Sequence, residues 1–381
     1  MDWLVSEGVR IVNHSVGNFT APQDGSALED RIVDEAASKG VVWVNAVGNS
    51  GAGHYSGVFK DYGSGWHEWR PGGRLFPIVA PFGEVTVILS WDDWPASSID
   101  YDLFLLDSTG ITLDWSSTLQ SGSQPPVEGL SGYCLHEDGC LLYAAVRKYS
   151  PGHDARLTLW SETNGDNFPY FNVSEGSILC PATARGAWAV GAVSNDTLFS
   201  EDLEPFSSRG PTADGRIKPD FVAPDGVATV TSLSANPPNL FFGTSAAAPH
   251  VAGIAALVLS TNPSLTVDEM RRFLEKRARH LGSPGKNNQY GVGIVDIGPL
   301  PQLVAGIEGN GAIALGEANA SFAFGVGKTE LHTGQGWATY QAPGLGKFQS
   351  SSVGRWSYMA TMQASGASGD FLAMAGFIRL T

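Results

Sequence analysis

An α/β protein with a parallel sheet, interrupted by an antiparallel β-sandwich, is the fold class that this 381-residue sequence predicts. Three observations predict it. A strand, a helix and a second, nearly continuous apolar strand follow one another before Gly48, which is a βαβ pattern and hence a parallel sheet. From residue 58 to residue 175 the chain alternates apolar and polar residues with turn signals between the runs, and no helical period appears. The βαβ style then resumes at Ala187.

Taken in order, Arg10–Gly17 reads as a strand ending at a glycine. Ser26-Ala27-Leu28-Glu29 reads as a capping box, with Leu28, Ile32, Val33 and Ala36 at helical spacing and Gly40 as the stop. Val41–Val47 is the apolar strand. Glu84–Trp91 and Asp102–Leu106 alternate as sandwich strands, and Ala187–Val193 is again a buried strand. Helices are expected from Ser245 to Leu259 and from a second capping box at Thr266–Glu269, the latter carrying Met270, Phe273, Leu274 and Leu281. The expected division is therefore 1–57 and 176–300 for the α/β domain, 58–175 for an inserted sandwich, and 301–381 for a Gly/Ala/Ser-rich tail.

Composition narrows the function. Hydrophobic residues make up 43% and charged residues 16%, which is globular and not disordered. The net charge of −15 argues against nucleic acid, because phosphate binding needs clustered Lys and Arg. It suits a secreted, soluble protein. The apolar run Val251–Leu259 is too short to span a bilayer, and Met1-Asp2-Trp3-Leu4 is not a signal-peptide start, so no membrane role is expected. Cys134 and Cys140 are close enough to bridge in an oxidising compartment, and reduced thiols fit equally well; a bridge would leave Cys180 free.

The most informative stretch is Gly243-Thr244-Ser245-Ala246-Ala247-Ala248-Pro249-His250-Val251-Ala252-Gly253. It sets Ser245 at a helix N-terminus, where free N–H groups favour developing negative charge. Such a serine either caps the helix or acts as a nucleophile beside an oxyanion site. The stretch resembles the nucleophile motif of the subtilisin-like serine proteases, the subtilases. Four further segments resemble that family in its own order: Asn13–Gly17, Ala46–Gly51, Phe206–Thr212 with Lys218–Pro224, and Asn288–Gly293. The resemblance implies that Ser245 is the acyl-forming nucleophile and that Asn49 donates its amide to the oxyanion. It also implies that Ser15-Val16-Gly17 and Ala46-Val47-Gly48 form two walls holding an extended polypeptide. Export from the cell is implied by family habit, and no cofactor is expected.

Departures accompany the resemblance. Ala246 stands where the family often has Met, and Asp225 stands where it usually has Gly, which puts a local turn in doubt. The family's Asp-Thr/Ser-Gly and His-Gly-Thr-His motifs, which supply the acid and the base, are not in this sequence. The expected function is thus a subtilisin-like serine endopeptidase, present as an N-terminally truncated and inactive chain. The alternatives are a non-catalytic protein that binds extended peptides, and an adhesive protein on a protease scaffold. The Gly/Ala phrases of the tail, such as Ala323-Phe324-Gly325, faintly resemble fibrous adhesin repeats. In the sandwich, Asp92, Asp93, Asp100 and Asp102 are either possible Ca²⁺ ligands or an exposed acidic strand edge.

Overall fold

The computed structural model describes residues 2–162, 168–195, 202–229 and 240–297, with four short strands between 338 and 374. The chain opens with a short helix, α1 (Asp2–Ser6), and then the expected unit of β1 (Ile11–His14), α2 (Leu28–Ser38) and β2 (Val42–Ala46). β1 and β2 run parallel, with Ile11 opposite Val42. Every residue of β2 is buried, which accounts for its apolar sequence. The helix start differs from the Ser26 capping box. Ala27 occupies the cap, and Asp30 reaches back to the Ala27 N–H at 3.2 Å. Asp30 is buried because its other oxygen accepts from the Thr183 hydroxyl, while Leu28 faces solvent.

Eight antiparallel strands follow: β3 (His54–Val58), β4 (Phe76–Ala80), β5 (Gly83–Trp91), β6 (Tyr101–Leu106), β7 (Thr112–Ser116), β8 (Val127–Cys134), β9 (Cys140–Lys148) and β10 (Arg156–Glu162). They form two sheets, ordered β3-β10-β5-β8 and β4-β9-β6-β7. Alternate residues of both, including Leu89, Leu103, Leu105, Leu157 and Leu159, meet in one core. β3 pairs with β10, so the antiparallel layer begins at His54, ahead of residue 58. A disulfide between Cys134 and Cys140 ties the end of β8 to the start of β9, and Cys180 is a buried free thiol.

The acidic edge expected in the sandwich is not an edge. β6 lies inside its sheet, between β9 and β7, so Asp100 and Asp102 are both buried at 8% exposure. Asp100 accepts from the Gln120 N–H at 3.0 Å, and Asp102 sits opposite Arg147. Burial, then the neighbouring Asp100 and Glu128, push the Asp102 carboxyl up to about 6. Asp92 and Asp93 accept from the Arg156 N–H and the Ser97 hydroxyl. Among the described residues no cluster of three His, Cys, Asp or Glu side chains is placed to hold a metal ion.

β11 (Ala187–Ser194) and β12 (Phe221–Asp225) complete a parallel sheet of order β1-β2-β11-β12. A buried charge cluster bolts its outer pair. Asp220, 1% exposed, accepts from the Lys218 and Lys286 ammonium groups and from the Ala189 N–H. Beyond it come a short hairpin of β13 (Val227–Ala228) and β14 (Leu240–Phe241), and then α3 (Thr244–Thr261). Residues 1–251 and 279–294 form one unit, and 252–278 with 295–381 another. In the second, α4 (Val267–Glu275) starts at the expected Thr266–Glu269 box and buries Met270 and Leu274. Leu281 lies past the end of α4 and packs instead with Val193 and Val222. The tail shows two antiparallel pairs, β15 (Ala338–Tyr340) with β16 (Phe348–Ser350) and β17 (Thr361–Ala364) with β18 (Phe371–Met374). The phrase Ala323-Phe324-Gly325 lies outside the described residues.

Candidate active site

The turn before α3 is built from backbone constraints. Gly243 has φ +106°, and a Cβ there would come 3.0 Å from the Asn49 amide nitrogen. Only glycine fits both conditions. Thr244 then locks Asn49: its N–H and its hydroxyl each donate to Asn49 Oδ1 at 2.9 Å, and the hydroxyl accepts from the Gly48 N–H at 3.3 Å. With Oδ1 so engaged, the donor end Nδ2 is the part of the amide left for another acceptor. Ser245 follows in the first turn of α3, where backbone N–H groups have no helical acceptor.

Ser245 is tied to the strand extension after β1. Its hydroxyl lies 3.4 Å from the Ser15 carbonyl, and the Ser15 hydroxyl donates to the Ser245 carbonyl at 3.2 Å. Ser15, Val16, Gly17, Ala46, Gly48, Asn49 and Ser245 all line one groove of about 860 Å³. Val47 is fully buried behind it and contributes backbone, through a bond to the Leu179 N–H. Buried Asn45 sets the spacing of the two walls, donating to the carbonyls of Ala46 and Val16 at 2.7 and 3.4 Å. Between the walls lies Leu179. A Cβ added at Gly17 or at Gly48 would come 2.8 or 2.7 Å from its Cδ1, so both glycines are close-approach positions.

Asp225, where a turn was in doubt, ends β12 in extended form and anchors the turn at Gly243. Its Oδ2 accepts from the Gly243 N–H at 2.8 Å, and the side chain is fully buried. Burial, and then the Glu204 carboxyl beside it, push its pKa up to about 7. A carboxyl raised from an unfolded value near 3.8 stabilises the fold below that pH, and the contribution is lost as pH rises through about 7. Asp225→Asn is therefore expected to gain stability relative to the parent as pH goes from about 4 to above 7. Urea midpoints across that range check it; a constant difference between the two proteins overturns the assignment.

No histidine among the described residues is bonded to Ser245. His14 donates Nδ1–H to Asn45 Oδ1 at 2.8 Å and lies against the Trp43 ring. His250 donates to the Ala246 carbonyl one turn back in α3. His54, five residues past Asn49, is fully buried, donates to the Val173 carbonyl and packs on Trp160. Burial pulls its pKa down to about 4, so it is a neutral core histidine.

Sequence reasoning missed Asn45, Leu179, Asp225 as an anchor, and the sandwich residues in the groove. Asn45 carried a signal, being the one polar residue in an apolar strand. The groove's Phe82, Glu84 and Thr86 carried none, since only the fold brings β5 against Leu179.

The comparisons with known proteins agree with this geometry. The family model Peptidase_S8, "Subtilase family", matches residues 121–293. The chain is 36% identical over 140 residues to the "Serine protease AprX" of Bacillus subtilis, covering 32% of this chain and 30% of that protein. It is 36% identical over 124 residues to "Subtilisin E" of the same organism, covering 32% and 29%. It thus spans about a third or less of the length of these relatives. The CspB protease of Clostridium perfringens shares the fold at TM-score 0.55 and 22% identity, covering 77% of this chain and 66% of that one. Residues 121–293 of this chain thus match the subtilase family, and its sequence relatives and the shared fold are those of subtilisin-like serine proteases.

Proposed function

We propose that the protein is a serine endopeptidase acting on extended polypeptides through an acyl-enzyme, outside the cell. The observation that carries this is the joining of Ser245, Asn49 and Ser15–Gly17 in one groove. In this reading the substrate lies along Ser15–Gly17 and the Ser245 hydroxyl attacks its carbonyl. The oxyanion is received by Asn49 Nδ2 and the Ser245 N–H, both fixed before the reaction starts. Activating the hydroxyl needs an acid and a base. We place these in a segment ahead of β1 that the present chain does not contain. The sandwich is taken as an insertion into the protease domain, near the 58–175 division read from the sequence. A non-catalytic peptide-binding protein is the second reading, favoured by the lack of a base bonded to Ser245 among the described residues.

Both readings require the groove to bind peptide, and that is tested directly. The Ser245→Ala chain is expected to bind a fluorescent extended peptide saturably, read by anisotropy. Gly17→Ala, which drives a Cβ to 2.8 Å from Leu179 at the wall, is expected to weaken binding about tenfold. Its overpacking should cost about 1–3 kcal/mol of stability, leaving the circular dichroism spectrum folded. Full affinity in the Gly17→Ala protein places the peptide elsewhere.

A further inference from the structure

The α/β layer supplies the two walls of the groove but not its far end. That end belongs to the sandwich. Along β5, Glu84 and Thr86 share a face with Ile88, because alternate residues of a strand point the same way. Ile88 and Trp160 pack on Leu179, so this face is the one turned toward the groove. Phe82, Glu84 and Thr86 accordingly line it together with Ser245 and Asn49.

We propose that Glu84 makes this end of the groove a pocket for a long basic side chain, so that peptides presenting Lys or Arg between the two walls are the preferred ligands. The proposal rests on the peptide-binding reading above and names its substrate class. Glu84 is the one ionisable side chain among the described residues that line the groove. Its neighbour Thr86 is already paired, with its hydroxyl 2.9 Å from that of Ser131. The route to Glu84 is apolar. It passes over Leu179, which closes the gap between Gly17 and Gly48, and past the exposed ring of Phe82. Tyr133 stands directly opposite Glu84 on β8, and its ring meets Phe82 edge-on at 6.2 Å. A Lys or Arg side chain matches that sequence of surfaces: an aliphatic stem for Leu179 and the rings, and a cation for the carboxylate. A short side chain leaves the far end to water, and an acidic one meets Glu84 with like charge.

The test uses the Ser245→Ala chain and three peptides alike except for Lys, Leu or Glu at the residue seated between the walls. Binding is read by anisotropy at low ionic strength. Lys is expected to bind best and Glu worst. The ratio between them should be about 2- to 30-fold, since an exposed ion pair is worth about 0.2–1 kcal/mol and reversal to like charge costs as much again. Glu84→Gln is expected to remove most of that ratio and Glu84→Lys to invert the order. Glu137→Gln, an exposed carboxylate at the turn between β8 and β9, controls for the chain's overall negative charge and should leave the ratio intact. A Lys preference that survives Glu84→Gln, or equal binding of all three peptides, overturns the proposal alone. Binding of none of them overturns the peptide groove and the proposal with it.

Discussion

Residues 1–381 alone are expected to cleave no peptide detectably and to resist rapid labelling by a fluorophosphonate. Both activities are expected to appear when a segment carrying an Asp and a His of the subtilase kind is placed ahead of β1. The reason is local. The Ser245 hydroxyl faces the Ser15 carbonyl at 3.4 Å, and a carbonyl cannot take up its proton. His14, His54 and His250 are each held by a different partner. Without a base, the oxyanion site and binding alone give about 10³–10⁴ over water, which is invisible in an ordinary assay. In a subtilisin, a relative of this chain, loss of the histidine costs about 2 × 10⁶ in turnover, so a gain on the order of 10⁶ is expected from restoring it. Ser245→Ala should then remove both activities. Rapid labelling of Ser245 in the unsupplemented chain would leave this explanation without its premise.

Asn49→Ala, made in that restored protein, is expected to lower kcat by about 10²–10³ with little change in KM. The figure is the cost of losing the oxyanion asparagine in a subtilisin. It transfers because Asn49 is preorganised. Two donors from Thr244 fix its oxygen, so the amide nitrogen needs no reorganisation when charge develops. The split between kcat and KM matters, since an interaction made only in the transition state leaves ground-state binding alone. A rise in KM at constant kcat assigns Asn49 to substrate binding. A fall in stability large enough to unfold the protein would show in its melting curve and be separated from both.

Much of this site could be read from residue types in order along the chain. Gly243-Thr244-Ser245 announced a strained turn opening an apolar helix, and α3 begins there, at Thr244. The walls Ser15–Gly17 and Ala46–Gly48 were legible only through the resemblance of Asn13–Gly17 and Ala46–Gly51 to subtilase segments. What the sequence hid depends on tertiary neighbours. Asp100 and Asp102 read either as Ca²⁺ ligands or as a solvated edge, yet strand order puts β6 inside its sheet and buries them. Asp225 read as a defect in a turn, and its partner Gly243 lies 18 residues on. Ser26 read as a cap because spacing alone cannot say that Thr183 will draw Asp30 inward. Glu84 sits in an ordinary alternating strand, and nothing in that alternation says what the strand will face.

β2 and β11 are neighbours in the parallel sheet although about 140 residues separate them along the chain. Closing so long a segment is an entropic burden on the sheet if the segment is unfolded. The sandwich relieves it, because β3 and β10 run side by side with Val58 opposite Arg156. Once those strands pair, the free span between the sheet's neighbours falls to roughly 30 residues, which lowers the loop-closure cost by about 1 kcal/mol. The order of assembly is thereby biased: sandwich first, then sheet, and only then the groove, whose parts come from three distant stretches of chain. With that bias the groove is complete only once strands from both layers have been brought to the start of α3.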